Sequence, residues 1–212
     1  MYRIRLHGRG GQGIKTASRI LGSAFFAEGF EVQDAPRYGA ERRGAPIFAY
    51  VRAAREPIHE RGLIRRPDLV VVGDATLVPV AAAGVLDGVA EHTALVVASD
   101  ESPAVWKERL RFAGPVRTIP RFAEAQGELP FVGPACAAAA ARLVGVIRRE
   151  SLEAALREEL ADLGPAVVER NAAGARDVFE RFAPFAGSVR EVPEPPITAL
   201  PDPRPGTTRA AG

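Results

Sequence analysis

Hydrophobic and polar positions at the start of the chain predict an α/β unit. Apolar and polar residues alternate over residues 2–7, which is typical of a strand. Glycines follow, and from Ile14 to about residue 28 apolar residues recur at helical spacing until Gly29, a residue type that commonly ends a helix. A second strand is predicted over residues 30–35. The order strand, glycine turn, helix, strand is therefore predicted for this region.

Two uninterrupted apolar runs in the middle of the chain predict strands that are buried on both faces. The runs cover residues 68–73 and 93–99, and such runs are typical of parallel sheets with helices on both sides. Further strands are predicted over residues 47–53, 57–59 and 116–119, and helices over residues 76–86 and 103–112.

The pattern changes to helical periodicity after residue 133. Gly133 and Pro134 predict the start of an alanine-rich helix that continues to about residue 149. Ser151 is the expected cap of a second helix that ends at Gly164, and Pro165 opens a third.

These elements predict a single three-layer α/β domain over residues 1–186. Its sheet is expected to be largely parallel, with a Rossmann-like strand, glycine loop and helix at the N-terminus and a helical C-terminal third. Residues 187–212 are rich in proline and have no apolar periodicity, so we predict a tail that is extended or disordered when alone. Wrapping of this tail around a partner is the alternative.

Composition and charge exclude several functional classes. The net charge of +2 is too small to indicate a nucleic-acid binder. No apolar run approaches the roughly 20 residues of a membrane-spanning helix, and the N-terminus has no signal-peptide pattern, so a cytoplasmic protein is expected. The single cysteine, Cys136, cannot build an iron–sulfur cluster or a zinc site alone.

A glycine motif lies between the first strand and the first helix. Gly8, Gly10 and Gly13 fit G-x-G-x-x-G, a pattern that lets a pyrophosphate approach the backbone at a helix N-terminus. A dinucleotide site also needs an acidic residue about 20 residues further on to hold a ribose. Glu31 and Asp34 are candidates, but neither stands clearly at the strand end. A bound phosphate group and a tight turn packed on another subunit both remain open.

Charged residues beside the motif, and a second loop, extend the candidate site. Lys15 lies in the first helical turn, where a cation is mildly unfavourable, so it either serves an anion or faces solvent. The second loop, residues 36–46, has the sequence PRYGAERRGAP. Its arginines suit a phosphate, a carboxylate or a subunit interface. The candidate cofactor-binding residues are Gly8, Gly10, Gly11, Gln12, Gly13, Thr16, Tyr38, Glu41, Arg42 and Arg43.

No catalytic or metal-binding constellation is present in the sequence. His7, His59 and His92 are scattered, and there is no Ser-His-Asp pattern and no metal-ligand spacing. His7 lies next to the glycine motif and could face a ligand, although a structural histidine is the simpler interpretation.

Several segments together resemble the gamma subunit of 2-oxoacid:ferredoxin (acceptor) oxidoreductases. They are GRGGQGIKTA at residues 8–17, RYGAERRGAP at residues 37–46, Val51-Arg52, Pro57-Ile58, Pro67-Asp68 and NAAG at residues 171–174. The resemblance covers roughly residues 1–185, and the two loops at fixed spacing are more specific than either alone.

The resemblance implies a subunit of a complex that oxidatively decarboxylates a 2-oxoacid, usually to an acyl-CoA. It implies thiamine diphosphate, Mg and iron–sulfur clusters in alpha and beta subunits and in a ferredoxin-like delta subunit or domain. Coenzyme A would be a co-substrate, and both loops would lie near its site or at a subunit interface. A self-contained NAD(P)-binding protein and a purely structural interaction subunit are the alternatives.

Overall fold

The computed structural model describes residues 1–37, 44–120 and 131–192. Within these ranges the strands are β1 (Tyr2–Arg9), β2 (Glu31–Arg37), β3 (Pro46–Ala54), β4 (Leu69–Val72), β5 (Ala94–Ala98) and β6 (Val116–Ile119). They form one sheet in the order β2-β3-β1-β4-β5-β6. β3 runs antiparallel to both of its neighbours, and the pairs β1–β4, β4–β5 and β5–β6 are parallel. The expected largely parallel sheet is confirmed.

Helices cover the two faces of this sheet unequally. In the described ranges they are α1 (Ile14–Ala27), α2 (Pro103–Leu110), α3 (Gly133–Val144), α4 (Arg149–Glu159) and α5 (Pro165–Arg181). α1 and α3 pack on one face, and α4 and α5 pack on them from outside. The other face carries α2 and short 3₁₀ turns. The three-layer α/β architecture is thus confirmed.

The strand patterns follow from this layering. In β4, Leu69 and Val71 enter the core under α1 and α3, whereas Val70 and Val72 enter the core on the opposite face. Side chains of a strand alternate between faces, and here both faces are covered. For this reason β4 contains no polar residue.

α3 lies between the sheet and α5. Its side chains from Ala135 to Ala141 are all buried, and their small size lets the helix approach the sheet and α5 closely. The helix ends at Val144 because Gly145 adopts a left-handed φ of 72°. The predicted end near residue 149 was therefore too late.

Two predicted elements are absent from the described residues. Instead of a helix over residues 76–86 there are 3₁₀ turns at Ala75–Leu77 and Ala81–Ala83. Pro79 separates them, and Gly84 ends the second with a φ of 58°. The apolar spacing imitated a helix, but proline and glycine interrupt it. Residues 57–59 form no strand.

α4 is capped from another helix, not by Ser151. Arg148 occupies the cap position, and its backbone N–H donates to Glu28 Oε1 at 3.0 Å. Glu28 itself is the C-terminal cap residue of α1. Hydrogen bonds from Ser151 and Arg148 lower the pKa of the Glu28 carboxyl. The predicted role of Ser151 was wrong because the acceptor comes from a distant segment.

The first residues after the predicted domain end pack on the domain. Val189 is buried, and its N–H donates to Leu143 O at 3.0 Å. The amino group of Met1 binds Glu191 at 2.7 Å. The boundary at residue 186 remains a prediction, and residues 193–212 lie outside the described part of the chain. Among the described residues, no helix has the length and apolar character needed to cross a bilayer.

Candidate functional site

The glycine loop, residues 8–13, connects the carboxyl end of β1 to α1. From β1 the chain first builds β2 and β3 on one side and later β4, β5 and β6 on the other. The loop therefore lies where the strand order reverses, between β1 and β4. Open α/β sheets bind ligands in the crevice at the carboxyl ends of such strands.

The loop glycines are required by backbone conformation and by packing. Gly11 and Gly13 have φ values of 95° and 77°, a region that favours glycine. A Cβ at Gly13 would lie 2.5 Å from the ring of Phe131, and one at Gly8 would overlap Ile14. These glycines thus have structural causes that do not depend on a ligand.

Gln12 braces the loop from inside. Its side chain is only 2% exposed; Oε1 accepts from the Arg9 N–H at 2.8 Å, and Nε2 donates to Asp74 at 3.3 Å. The backbone carbonyl of Gln12 accepts the N–H groups of Val132 and Gly133, both at 3.1 Å. The Gln12 side chain therefore holds the loop to Asp74, and its backbone carbonyl holds the loop to the start of α3.

Arg9 and Asp74 form a second brace at the same edge of the sheet. The Arg9 guanidinium donates to Asp74 at 2.9 Å, to the Thr76 hydroxyl at 2.8 Å and to Gly44 O at 3.0 Å. Burial alone would raise the pKa of Asp74, but hydrogen bonds from Thr76 and the charge of Arg9 hold it below its usual value. All three nitrogen atoms of the Arg9 guanidinium therefore donate hydrogen bonds within the protein.

Sequence reasoning missed Asp74 and Thr76. A signal was available, because Asp74 comes shortly after the buried run of β4. Carboxyl ends of adjacent parallel strands meet at one edge of a sheet. A polar residue after β4 should thus have been placed beside the glycine loop after β1.

Two helix N-termini meet at the loop. α1 begins directly after Gly13, and α3 begins at Gly133; neither has a side-chain cap or an acidic residue in its first turn. The contact is so close that a Cβ at Gly133 would overlap the Gly13 carbonyl. Lys15 and Thr16 lie in the first turn of α1 and are half-buried. The positive ends of two helix dipoles therefore add to the charge of Lys15.

The second loop adjoins the first at its described end. Gly10 N–H donates to Ala45 O at 2.9 Å, and Gly44 N–H donates to Gly10 O at 3.1 Å. The structure thus brings Gly8, Gly10, Gly11, Gln12, Gly13 and Thr16 together at the strand ends. The remaining predicted site residues, Tyr38, Glu41, Arg42 and Arg43, lie outside the described residues.

The other sequence candidates lie elsewhere. Glu31 and Asp34 belong to β2, which β3 separates from β1. With strands about 4.8 Å apart, β2 lies about 10 Å from β1, so the ribose-binding acid of a dinucleotide site is not in its usual place. His7 lines a cavity with Arg5 and Tyr50, away from the loop.

Comparison with known proteins identifies the family. The sequence matches the family described as "Pyruvate ferredoxin/flavodoxin oxidoreductase" over residues 3–181. The pyruvate/ketoisovalerate oxidoreductases common subunit gamma of Pyrococcus furiosus is 35% identical over 189 residues, covering 87% of this chain and 99% of that protein. Pyruvate synthase subunit PorC of Methanosarcina barkeri is 37% identical over 159 residues, covering 74% and 85%.

Solved structures show the same fold. The pyruvate oxidoreductase subunit PORC of Thermotoga maritima superposes with a TM-score of 0.69 at 29% identity, covering 84% of this chain and 95% of that one. The 2-oxoglutarate:ferredoxin oxidoreductase of Magnetococcus marinus gives 0.57 at 18% identity, covering 90% of this chain and 32% of that one. The chain therefore belongs to the pyruvate ferredoxin/flavodoxin oxidoreductase family, as the gamma subunit of a 2-oxoacid:ferredoxin oxidoreductase complex.

Proposed function

We propose that the glycine loop and the second loop form an anion-binding surface that receives a phosphate group of coenzyme A in the assembled enzyme. The observation that carries this proposal is the convergence of the α1 and α3 N-termini on one glycine loop, with no acidic residue in either first turn. Each helix N-terminus carries roughly half a positive charge. Two of them at one point, at the carboxyl ends of β1 and β4, favour an anion.

Cationic side chains support the same proposal. Lys15 lies in the first turn of α1, and Arg42 and Arg43 belong to the second loop, whose end is hydrogen-bonded to Gly10. Tyr38 and Glu41 of that loop complete the proposed surface. Arg9 has a positioning role in this scheme, because Asp74, Thr76 and Gly44 engage its donors.

Coenzyme A is the phosphate-bearing ligand that best fits the family. The Magnetococcus marinus enzyme of the same fold is described with 2-oxoglutarate, coenzyme A and succinyl-CoA bound. The dinucleotide alternative has less support, since the antiparallel β3 separates β1 from β2.

We also propose that this chain contributes no redox centre. The full sequence contains one cysteine, and burial raises the pKa of the Cys136 thiol to about 12. Iron–sulfur clusters need several thiolates. Thiamine diphosphate, Mg and the clusters are therefore assigned to alpha, beta and delta partners, and this chain would support assembly and complete the coenzyme A surface.

Substitution of Lys15 in the purified complex tests the coenzyme A surface. Lys15→Gln should raise the KM for coenzyme A about five-fold, equivalent to about 1 kcal/mol for one charge near a helix N-terminus. The KM for the 2-oxoacid should not change. The matched control is Lys107→Gln on α2, which replaces the only other lysine of the sequence.

A combined Arg42→Ala and Arg43→Ala variant extends the test to the second loop. Weaker coenzyme A binding in an intact complex is expected. Unchanged affinity for coenzyme A in both variants, with all subunits still present, would leave a purely structural role for the loops and remove the proposed one.

A further inference from the structure

A cavity lies on the face of the sheet opposite α1. It has a volume of about 400 Å³ and lies between β1, β3 and the irregular segments that follow β3 and β4. Arg5, His7, Phe48 and Tyr50 line it from the strands, and Ile64 lines it from one of the segments. This volume is in the lower part of the range of small-molecule sites, about 300–1,000 Å³.

The cavity contains a buried guanidinium that forms no ion pair within the described part of the chain, although the charge of Asp87 acts on it. Arg5 is only 3% exposed. Its Nη2 donates to Val85 O at 2.9 Å and its Nη1 to Ile64 O at 3.4 Å, whereas Nε has no partner in the described part of the chain. Burial lowers the pKa of Arg5. A buried charge whose hydrogen bonds go only to carbonyl groups is costly.

Two other buried arginines on the same face show that the fold can supply a counter-ion. Arg3 Nη2 lies 2.6 Å from Glu60 Oε1, and Arg52 Nε lies 3.5 Å from Glu60 Oε2. Arg3 is 6% exposed and Arg52 is 2% exposed, so their burial matches that of Arg5. Arg5 differs in that none of the described carboxylates forms an ion pair with it, and only the exposed Asp87 contributes an attractive negative charge.

The rest of the cavity is neutral overall and partly aromatic. Arg65 and Asp87 line it as exposed residues of opposite charge. His7 is 3% exposed, and its Nε2 has no partner in the ranges described. Burial and the charge of Arg5 lower the pKa of His7 to about 4, so it is neutral near pH 7. Its ring lies 5.9 Å from that of Phe48.

We propose that this cavity binds a small monocarboxylate with an aromatic or other apolar body. The carboxylate pairs with Arg5, since a planar carboxylate matches a guanidinium, and the body packs against Phe48 and Tyr50. A single negative charge pairs with the buried cation that has no ion-pair partner among the described residues, whereas a phosphate dianion would add excess negative charge beside Asp87. His7 supplies a neutral polar contact.

Titration of the full-length chain with benzoate tests the proposal, with benzamide as the uncharged analogue. Calorimetry should show saturable benzoate binding, and benzamide should bind at least about ten-fold more weakly because it cannot form the charge-assisted bond. Arg5→Gln should weaken benzoate binding by a similar factor.

A cavity-filling variant keeps the test valid if Arg5→Gln does not fold. Ala82 is exposed and lines the cavity, so Ala82→Phe should abolish benzoate binding. Ala81 is its exposed neighbour in the same 3₁₀ turn and does not line the cavity. Ala81→Phe should therefore bind benzoate like the unchanged chain.

Three results would overturn the proposal. They are the absence of saturable benzoate binding, equal binding of benzamide, and benzoate binding that survives Ala82→Phe. If the chain binds no benzoate and Ala82→Phe alone weakens assembly with the other subunits, an acidic side chain of a partner occupies the cavity instead.

Discussion

Replacing Gly13 with alanine perturbs the contact between the glycine loop and the start of α3. The φ of Gly13 is 77°, and holding alanine in this left-handed region costs about 1–2 kcal/mol. The added Cβ would also lie 2.5 Å from the Phe131 ring, and overpacking of this kind costs about 1–3 kcal/mol. Gly13→Ala should therefore lower the free energy of unfolding by about 2–5 kcal/mol.

Gly62→Ala provides the matched control. Gly62 has a nearly identical φ of 79°, but no atom lies within 4 Å of the position of its added Cβ. This variant should lose only the backbone contribution of about 1–2 kcal/mol. Urea unfolding can be followed by the fluorescence of Trp106, the single tryptophan, which is buried in the core under α2. The difference between the losses of unfolding free energy in the two variants measures the cost of the collision with the Phe131 ring.

A double-mutant cycle with Phe131→Ala isolates the same contact. If the ring is the obstacle, Gly13→Ala should cost about 1–3 kcal/mol less in the Phe131→Ala background. Equal losses for Gly13→Ala and Gly62→Ala, together with no coupling in the cycle, would refute the packing of Phe131 on Gly13. The convergence of α1 and α3 would then rest only on the Gln12 carbonyl bonds and on the contact of Gly133 with Gly13.

Three further predictions concern buried or capping groups. Burial raises the pKa of Asp68 to about 6, so the folded state favours the protonated carboxyl and stability should fall as pH rises from about 4 to about 6. Asp68→Asn should remove this pH-dependent decrease, measured as the urea midpoint of unfolding. A decrease that persists unchanged would show that Asp68 is not its cause. Glu28→Ala should lower the unfolding free energy by about 1 kcal/mol because α4 loses its cap, whereas an unchanged urea midpoint would mean that the cap contributes nothing. Cys136 is fully buried, so a thiol reagent should modify it only in denaturant; rapid modification of the native chain would show that α3 opens.

Periodicity predicted the elements better than their arrangement. The apolar runs of β4 and β5 and the amphipathic spacing of α1 reflect local burial, which a sequence displays directly. The insertion of β3 between β1 and β2 depends on pairing between distant segments, for which the alternation within each strand contains no signal. The proline at residue 79 was a visible reason against the helix predicted over residues 76–86.

The candidate site likewise combines local features that the sequence displays with long-range contacts that it does not. The glycine loop is contiguous, so its motif and its place after β1 were predictable from the sequence. The contacts that hold the loop in place were not predictable, because Asp74 and Phe131 come from distant segments and meet the loop only in the folded chain. The lack of an ion-pair partner for Arg5 among the described residues was equally hidden. In the sequence Arg5 resembles Arg3, and only the fold shows that Glu60 neutralises one of them and not the other.

The glycine motif has two separable physical causes in this fold. Gly8 and Gly13 leave room for Ile14 and Phe131, so packing within the chain would require small residues there even if nothing were bound. Gly11 is exposed and has a φ of 95°, so it shapes the backbone at the surface where an anion would approach. A motif match alone cannot separate these causes, because both select glycine. The distinction between a phosphate site and a packed turn therefore depends on what surrounds the loop, namely two helix N-termini without side-chain caps and a second, arginine-rich loop bonded to Gly10.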